Sequence, residues 1–392
     1  MRVTYVTQTR FPVQKAHGKQ IAEVCAALAA LGHDVRLLCP SIHNAIKEDA
    51  FSYYGLARTF TVEYLPHVDA TESWWIPGRF HFLVNMYRYR KVLGAYFARH
   101  DTDCIYVRSR VLLPVLIRTK RPVVFEAHTL PEALNRRFVK FCNQCRLIVC
   151  LTSPMRGVLL SGGVQPEHVM IAHDGVDTGR FQKLPTVLHA REQWRVPLNI
   201  PVVGYVGSLV TRGDIAKGVG ELLEAFSLLK ERNIPFFGWI VGGPGEWVKQ
   251  YQKYAEKLGI AGSVMFEGHI RAQEVPSSLT ACDVLVYPAP KTDHPYFHRD
   301  TSPLKLFEYL AAGRPIVCAD LPPVRDVVGN DHVFFCKPGD PEALAWSISY
   351  VLNHPQEAAK KVRTAKELSY SYSWEKRMKR ILDAAHCSSH PE

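Results

Sequence analysis

The stretch Asp300-Thr301-Ser302-Pro303-Leu304-Lys305-Leu306-Phe307-Glu308-Tyr309-Leu310-Ala311-Ala312-Gly313-Arg314-Pro315 concentrates the residues best suited to chemistry. Ser302 has a side chain that caps a helix, Pro303 suits a first helical position, and Gly313 with Pro315 beyond it suits the exit. The free backbone N–H groups at such a helix start, with Ser302 and Leu304 as the candidate donors, form an anion site fit for a diphosphate. Asp300 stands just before that end and Glu308 more than one turn inside it, so both carboxylates can face one ligand from different sides. A second phosphate pattern runs from Gly207-Ser208-Leu209 to Lys217-Gly218. A glycine turn lets backbone approach a ligand closely, and Lys217 adds a point charge at a helix start. Arg212, in the intervening loop, is a further cation that serves the ligand if the loop folds inward and is otherwise solvated.

These residues need rigid elements behind them. Short β-branched runs alternate with helical-period segments throughout, the mark of βαβ units and a parallel sheet. Val3 to Val6 reads as a strand, Ile21, Val24, Leu28 and Leu31 as the apolar face of a helix ended by Gly32, and Val35 to Cys39 as the next strand. Strands are predicted again at Cys104 to Val107, Val123 to Phe125 and Leu147 to Cys150. A second series starts at Val202 to Val206, with strands at Phe237 to Val241, Val264 to Phe266, Val284 to Tyr287 and Pro315 to Cys318. The expected fold class is therefore α/β, two facing Rossmann-like domains with a cleft between them at the carboxyl ends of both sets of strands. The expected division is 1–185, 186–365, and a terminal helix with tail at 366–392.

No run approaches the roughly 20 apolar residues that span a bilayer. The opening apolar run is too short for a signal-peptide core, so a cytoplasmic protein is expected. Ten cysteines are scattered, several in strand-like apolar runs, which suits buried thiols better than a disulfide framework; the lone Cys142-x-x-Cys145 has no second pair at zinc-site spacing. Charge is uneven: residues 1–190 carry 24 Lys and Arg against 14 Asp and Glu, whereas residues 191–392 carry 24 against 23. A basic first half implies an anionic neighbour such as a membrane surface or a phosphorylated acceptor, and no nucleic-acid-binding motif accompanies it. Between 71 and 100, Trp74, Trp75, Phe80, Phe82, Tyr87, Tyr89 and Tyr96 stand among Arg79, Arg88, Arg90, Lys91 and Arg99, a composition open to two readings: an interfacial surface on anionic lipid, or a core-packing helix with a solvated basic face.

The Asp300–Pro315 segment resembles the acidic-x7-acidic motif of the retaining GT-B glycosyltransferases called family 4, and the likeness extends over nearly the whole chain. It implies that Glu308 binds the nucleotide ribose and that Asp300, where Glu is commoner, contacts donor-sugar hydroxyls. The family's Gly-Arg-Leu, short loop, Lys-Gly pattern is similar to Gly207 through Gly218; Lys217 matches a diphosphate ligand, while Ser208 stands where the family has Arg. Val241-Gly242-Gly243-Pro244 resembles the family's turn at the donor site, and Phe266 to Ile270 its segment framing the base, which places Ile270 beside that base. In the first half, the resemblance puts His128 near the donor sugar and Gly18 where backbone approaches phosphate and acceptor, with His17 beside it either functional or solvated. His173 to Phe181 is similar to the family's close of the first domain.

The resemblance thus implies transfer of a sugar from a UDP- or GDP-linked donor to a glycan, lipid-linked or small-molecule acceptor, with retained configuration. Asp300, His128 and Lys217 would carry catalysis, without a metal or other cofactor, and with peripheral contact to an anionic membrane through the basic half. Two rivals stay open: a nucleotide-sugar epimerase of the same architecture, and a non-catalytic nucleotide-binding partner subunit, for which Ser208 is the one supporting residue.

Overall fold

The computed structural model describes residues 1–66, 69–72, 76–211, 214–302 and 304–385. They form two compact units, one of Met1–Asp174 with the chain's end from Trp374, the other of Gly175–Ser373. The division thus falls at 174/175 and 373/374 rather than at 185/186 and 365/366, because the segment after Asp174 pairs with the segment before Trp374: Val176 N–H donates to the Tyr372 carbonyl at 2.9 Å.

The first unit is a seven-stranded parallel sheet of β1 (Arg2–Val6), β2 (Asp34–Pro40), β3 (Thr61–Leu65), β4 (Cys104–Val107), β5 (Val123–Ala127), β6 (Leu147–Cys150) and β7 (Val169–Ile171), in the order β3-β2-β1-β4-β5-β6-β7. All residues of β4, β5 and β6 are buried, as a parallel sheet covered on both faces requires. The helix Ala16–Ala30 buries Ile21, Val24 and Leu28, and Gly32 leaves it with φ +84°. The terminal helix Trp374–Ala384 packs against this first helix and belongs to the unit. The nine cysteines among the described residues are buried and form no disulfide with one another; burial pushes the Cys142 thiol up to about 12, which disfavours its thiolate.

The second unit repeats the plan with β8 (Val202–Val206), a short antiparallel pair of β9 (Val210–Thr211) and β10 (Ile215–Ala216), then β11 (Phe237–Val241), β12 (Val264–Glu267), β13 (Val284–Tyr287), β14 (Ile316–Ala319) and β15 (Phe334–Cys336). Its parallel sheet runs β12-β11-β8-β13-β14-β15. In both units the strand order reverses beside the first strand, between β1 and β4 and between β8 and β13. At such switch points the connections leave on opposite faces and open a crevice beyond the carboxyl ends of the strands. No described helix is long and apolar enough to cross a membrane.

Candidate functional site

In the second unit, the chain leaves β8 into Gly207 and leaves β11 into Gly242. Gly207 has φ +153° and Gly242 φ +142°, and a Cβ on Gly242 would sit 1.9 Å from the Gly207 carbonyl oxygen. The two turns touch through bare backbone, which only glycine permits at that separation. Gly218, at φ +81°, starts the helix Val219–Glu231 hard against the chain that leaves β13; its Cβ would lie 2.6 Å from the Ala289 nitrogen.

Two ammonium groups occupy this crevice. Lys217 lies 5.5 Å from the centre of the Tyr296 ring. Lys305, in the first turn of helix Leu304–Ala312, donates to the Tyr205 hydroxyl and stands 3.9 Å from that ring's centre and 5.6 Å from that of Tyr287. A Cβ on Gly207 would meet the Lys305 side chain at 2.8 Å, so the glycine also clears room for the lysine. Burial, then the nearby Lys217 charge, pull the Lys305 ammonium well below the ordinary lysine range, and Glu308 opposes them. Lys305 has no role among the residues expected from the sequence. Nothing local marks it, because the tyrosines that cage it come from β8 and β13, 100 and 18 positions earlier.

The other expected donor residues fall as follows. Glu308 is half-buried on the same helix as Lys305. Leu304 opens that helix, and Ser302 lies before it, half-buried. Asp300 is buried, and both its oxygens accept from Arg299, at 2.6 Å from Nε and 3.3 Å from Nη2. Ser208 donates its hydroxyl to the Val210 carbonyl within its own loop. Ile270 packs on the unit's core rather than standing free. Arg212 lies outside the described residues.

In the first unit the centre is Glu126, a carboxylate at the end of β5 with no exposed surface. One oxygen accepts from Gln20 Nε2 and His128 Nε2, each at 2.6 Å; the other accepts from Arg377 Nη1 at 3.2 Å and from the Tyr106 hydroxyl. Burial alone would raise this carboxyl, but Arg377, then His128 and Tyr106, hold it well below the usual range. Arg377 reaches across from the terminal helix and also donates to the His173 carbonyl at 2.6 Å. Burial and Arg108 lower His128 despite Glu126, so the ring is neutral at physiological pH. Its Nε2–H donates to Glu126, which leaves Nδ1 as the acceptor.

Gly18 sits in the first turn of the helix Ala16–Ala30, not in a loop, and a Cβ there would meet the Tyr54 hydroxyl at 2.2 Å. His17 beside it is also in that turn, so it is not a solvated loop residue. Burial, then Arg108, Lys15 and His128, lower it to about 4, and its Nε2 is buried without a hydrogen bond among the described residues. Arg108 ties the cluster together, donating to Gln20 Oε1 at 2.7 Å and the His17 carbonyl at 3.3 Å. Glu126, His128 and Asp174 each bring a ligand-type atom within 4.8 Å of the others. Arg377 already bonds Glu126 and supplies the positive charge that a cation would bring. Sequence reading found His128 but neither Glu126 nor Arg377, which lie 251 positions apart.

The aromatic-basic segment divides. In the helix Gly78–Phe97, Met86, Tyr89, Leu93 and Tyr96 are buried and Arg90 Nε donates to the Val111 carbonyl at 2.8 Å. Phe82, Leu83 and Tyr87 are 54%, 61% and 60% exposed. Trp74 and Trp75 lie outside the described residues.

The glycine turn with two lysines and the buried Glu–His–Arg cluster each lie at the switch point of a doubly wound α/β sheet, where such folds open a ligand crevice. Residues 18–180 match the family model Glycosyltransferase Family 4, and residues 189–368 match Glycosyl transferases group 1. The chain belongs to the GT-B glycosyltransferases of the family 4 type. It is 24% identical over 288 residues to a D-inositol 3-phosphate glycosyltransferase of Salinispora tropica, covering 67% of this chain and 58% of that one. The chain spans about half the length of the curated relatives it matches, 58%, 47% and 52% for three of them. The solved structure of a Rickettsia africae glycosyltransferase is similar at TM-score 0.77 and 16% identity, over 100% of this chain and 99% of that one. Anabaena HepE in complex with UDP and glucose is similar at TM-score 0.72 and 19% identity, over 98% and 99%. At these identities the likeness is one of fold.

Proposed function

We propose that the protein transfers a sugar from a nucleotide diphosphate donor to an acceptor hydroxyl, with retention of configuration. The observation that carries this reading is the convergence of Lys217 and Lys305 on one crevice beyond Gly207. A buried ammonium held below its ordinary pKa despite Glu308 is short of counter-charge, and a diphosphate supplies it. Lys305 in this reading takes the place of the family's missing Arg at Ser208, and the diphosphate is neutralised by lysines rather than by a metal. Glu308 holds the ribose, Asp300, fixed by Arg299, orients the sugar, and Ile270 borders the base. Transfer is then mostly positioning and charge stabilisation of the leaving diphosphate, which takes up the acceptor proton as the glycosidic bond to the nucleotide breaks. In the first unit, neutral His128 with its acceptor Nδ1, and His17 Nε2, which has no hydrogen bond among the described residues, are the groups suited to sugar and acceptor hydroxyls. The likeness to HepE, solved with UDP and glucose, supports a nucleotide-sugar donor and leaves the base, uridine or guanosine, to the titration.

Calorimetric titration with UDP, GDP and ADP, with EDTA present, tests the reading. One nucleotide is expected to bind selectively, and Lys305→Met and Glu308→Ala are each expected to weaken it by about 1–3 kcal/mol. Binding of none, or unchanged affinity in both variants, refutes the assignment.

A second reading concerns location. The exposed Phe82, Leu83 and Tyr87, with Arg79 4.9 Å from the Phe80 ring centre and Lys91 4.7 Å from that of Tyr87, suit the interface of an anionic membrane that carries a lipid-linked acceptor. Sedimentation with vesicles checks it: binding is expected only with anionic lipid and is expected to fall in Leu83→Ser. Equal binding to neutral vesicles, or to the variant, removes this reading.

A further inference from the structure

At the opposite edge of the second unit's sheet, before the amino ends of β8, β13 and β14, lies a groove of about 860 Å³. Its position is set by the parallel strands, four to five residues long, which separate it from the lysine crevice by about 15 Å at ~3.3 Å per residue. The volume is that of a site for a single small molecule.

The groove has two chemistries. Leu198, Ile200, Val284, Val351 and Val362 make its wall apolar, and Leu198 and Ile200 are 48% and 40% exposed. Large aliphatic side chains left in water in adjoining positions of one concave wall are unlike singly scattered surface apolars. The charges on the wall are Arg191, Asp283, Arg314 and Arg363. Asp283 is satisfied: it accepts from the Val202 N–H at 2.7 Å and from Arg191, whose guanidinium also donates to the Ala281 and Leu198 carbonyls at 3.0 Å. Arg314 is not. It is half-buried, and no hydrogen bond or ion pair joins it to any described residue. Burial lowers its pKa, and Asp283, already bound to Arg191 and the Val202 N–H, offsets that only in part. Arg363, exposed on the rim, is a second cation facing the same space.

We propose that this groove binds an amphipathic anion, with its phosphate or carboxylate on Arg314 and its apolar body along Leu198, Ile200 and Val351. The guanidinium offers paired N–H donors in a fork that matches either oxyanion, and the apolar wall gains by covering Leu198 and Ile200. The site is separate from the proposed donor crevice, so it stands whether or not that reading does.

The test is calorimetry with octyl phosphate and octanoate below their aggregation concentrations, beside octanol and inorganic phosphate, on the full chain. Saturable binding of one octyl phosphate or octanoate per chain is expected, with octanol and phosphate each at least tenfold weaker. Arg314→Met is expected to weaken the amphiphile at least tenfold. Ala359→Trp, which fills the groove from the helix Pro355–Ser369 and leaves Arg314 in place, is expected to block it. Should Arg314→Met fail to fold, Ala359→Trp decides alone. Arg314-dependent sedimentation with phosphatidic acid vesicles assigns the anion to a lipid, and binding of the soluble amphiphile without it to a free metabolite. No saturable binding overturns the proposal. So does octanol as tight as octyl phosphate, or affinity unchanged in a folded Ala359→Trp, which is the result expected of a groove that serves another macromolecule.

Discussion

Replacing Arg377 by Met removes the main counter-charge of Glu126 while keeping much of the side-chain volume. Both groups are buried, with side chains 3% and 0% exposed, so solvent cannot take the arginine's place. Breaking such a pair by removing one partner costs about 3–5 kcal/mol, a large share of the 5–15 kcal/mol that holds a typical domain together. The His173 and Ala172 carbonyls lose a donor as well, which places the expected value at the upper end of that range. The pH dependence is the sharper readout. In the native protein Glu126 titrates below its ordinary 4.5, so its contribution is complete above that value and is lost as pH falls towards the folded-state pKa. Without Arg377, burial dominates and carries the carboxyl above 4.5. The native state then binds the proton before the unfolded state does, and stability rises as pH falls from 7 towards 5, by at most about 1.4 kcal/mol per unit. Urea unfolding read by hydrogen exchange on peptides from residues 104–150 reports on the first unit alone. A loss under about 1 kcal/mol, or the same sign of pH dependence in both proteins, refutes the argument.

Three further outcomes follow from the same geometry. Gly242→Ala places a methyl 1.9 Å from the Gly207 oxygen and must push the two turns apart, so nucleotide binding should fall more than tenfold while the melting of the first unit is unchanged; near-normal binding by calorimetry would show that the turns do not cradle the ligand. Lys305, held below the ordinary lysine range, should take up a proton when a diphosphate binds, increasingly so as pH rises through its depressed value. Binding heats at pH 9 in buffers of different ionisation enthalpy should show that uptake in the native protein and not in Lys305→Met. His17 should stay neutral to about pH 4, and because the unfolded histidine titrates near 6.5, stability should fall as pH drops through that window; imidazole nitrogen shifts of a charged His17 at pH 6 would contradict the burial argument.

What could be read from the sequence is what short-range chemistry writes into it. Five strands were bounded as observed, Cys104–Val107, Leu147–Cys150, Val202–Val206, Phe237–Val241 and Val284–Tyr287, because apolar runs cut off by turn residues carry both ends with them. Thr61–Leu65, Val169–Ile171 and Phe334–Cys336 were not seen. All three are edge strands, only partly buried: Glu63 interrupts β3, while β7 and β15, though apolar, are only three residues long, too short for a periodic signal. The glycine turn at Gly207, Lys217 and the helix bearing Glu308 were legible for the same local reason. Lys305 and Glu126 were not, since a lysine or a glutamate looks alike in solvent and in a cage, and the cage is built from other strands.

Strand order supplies the missing link. In the order 3-2-1-4-5-6 the first and fourth strands lie side by side, so the turns that follow them must share one crevice. The second unit obeys this where Gly218 meets Ala289, and the first where the Ser109 hydroxyl donates to Gln8 Oε1 at 2.6 Å. Lys305 belongs to the connection after β13 and Lys217 to the one after β8, so topology alone brings them together. Arg108 follows β4, and His17 and Gln20 follow β1, so their contact has the same origin. The charges of both units are thus placed by a rule of chain connection, and a sequence whose strands are counted correctly already contains the pairings that its spacing conceals.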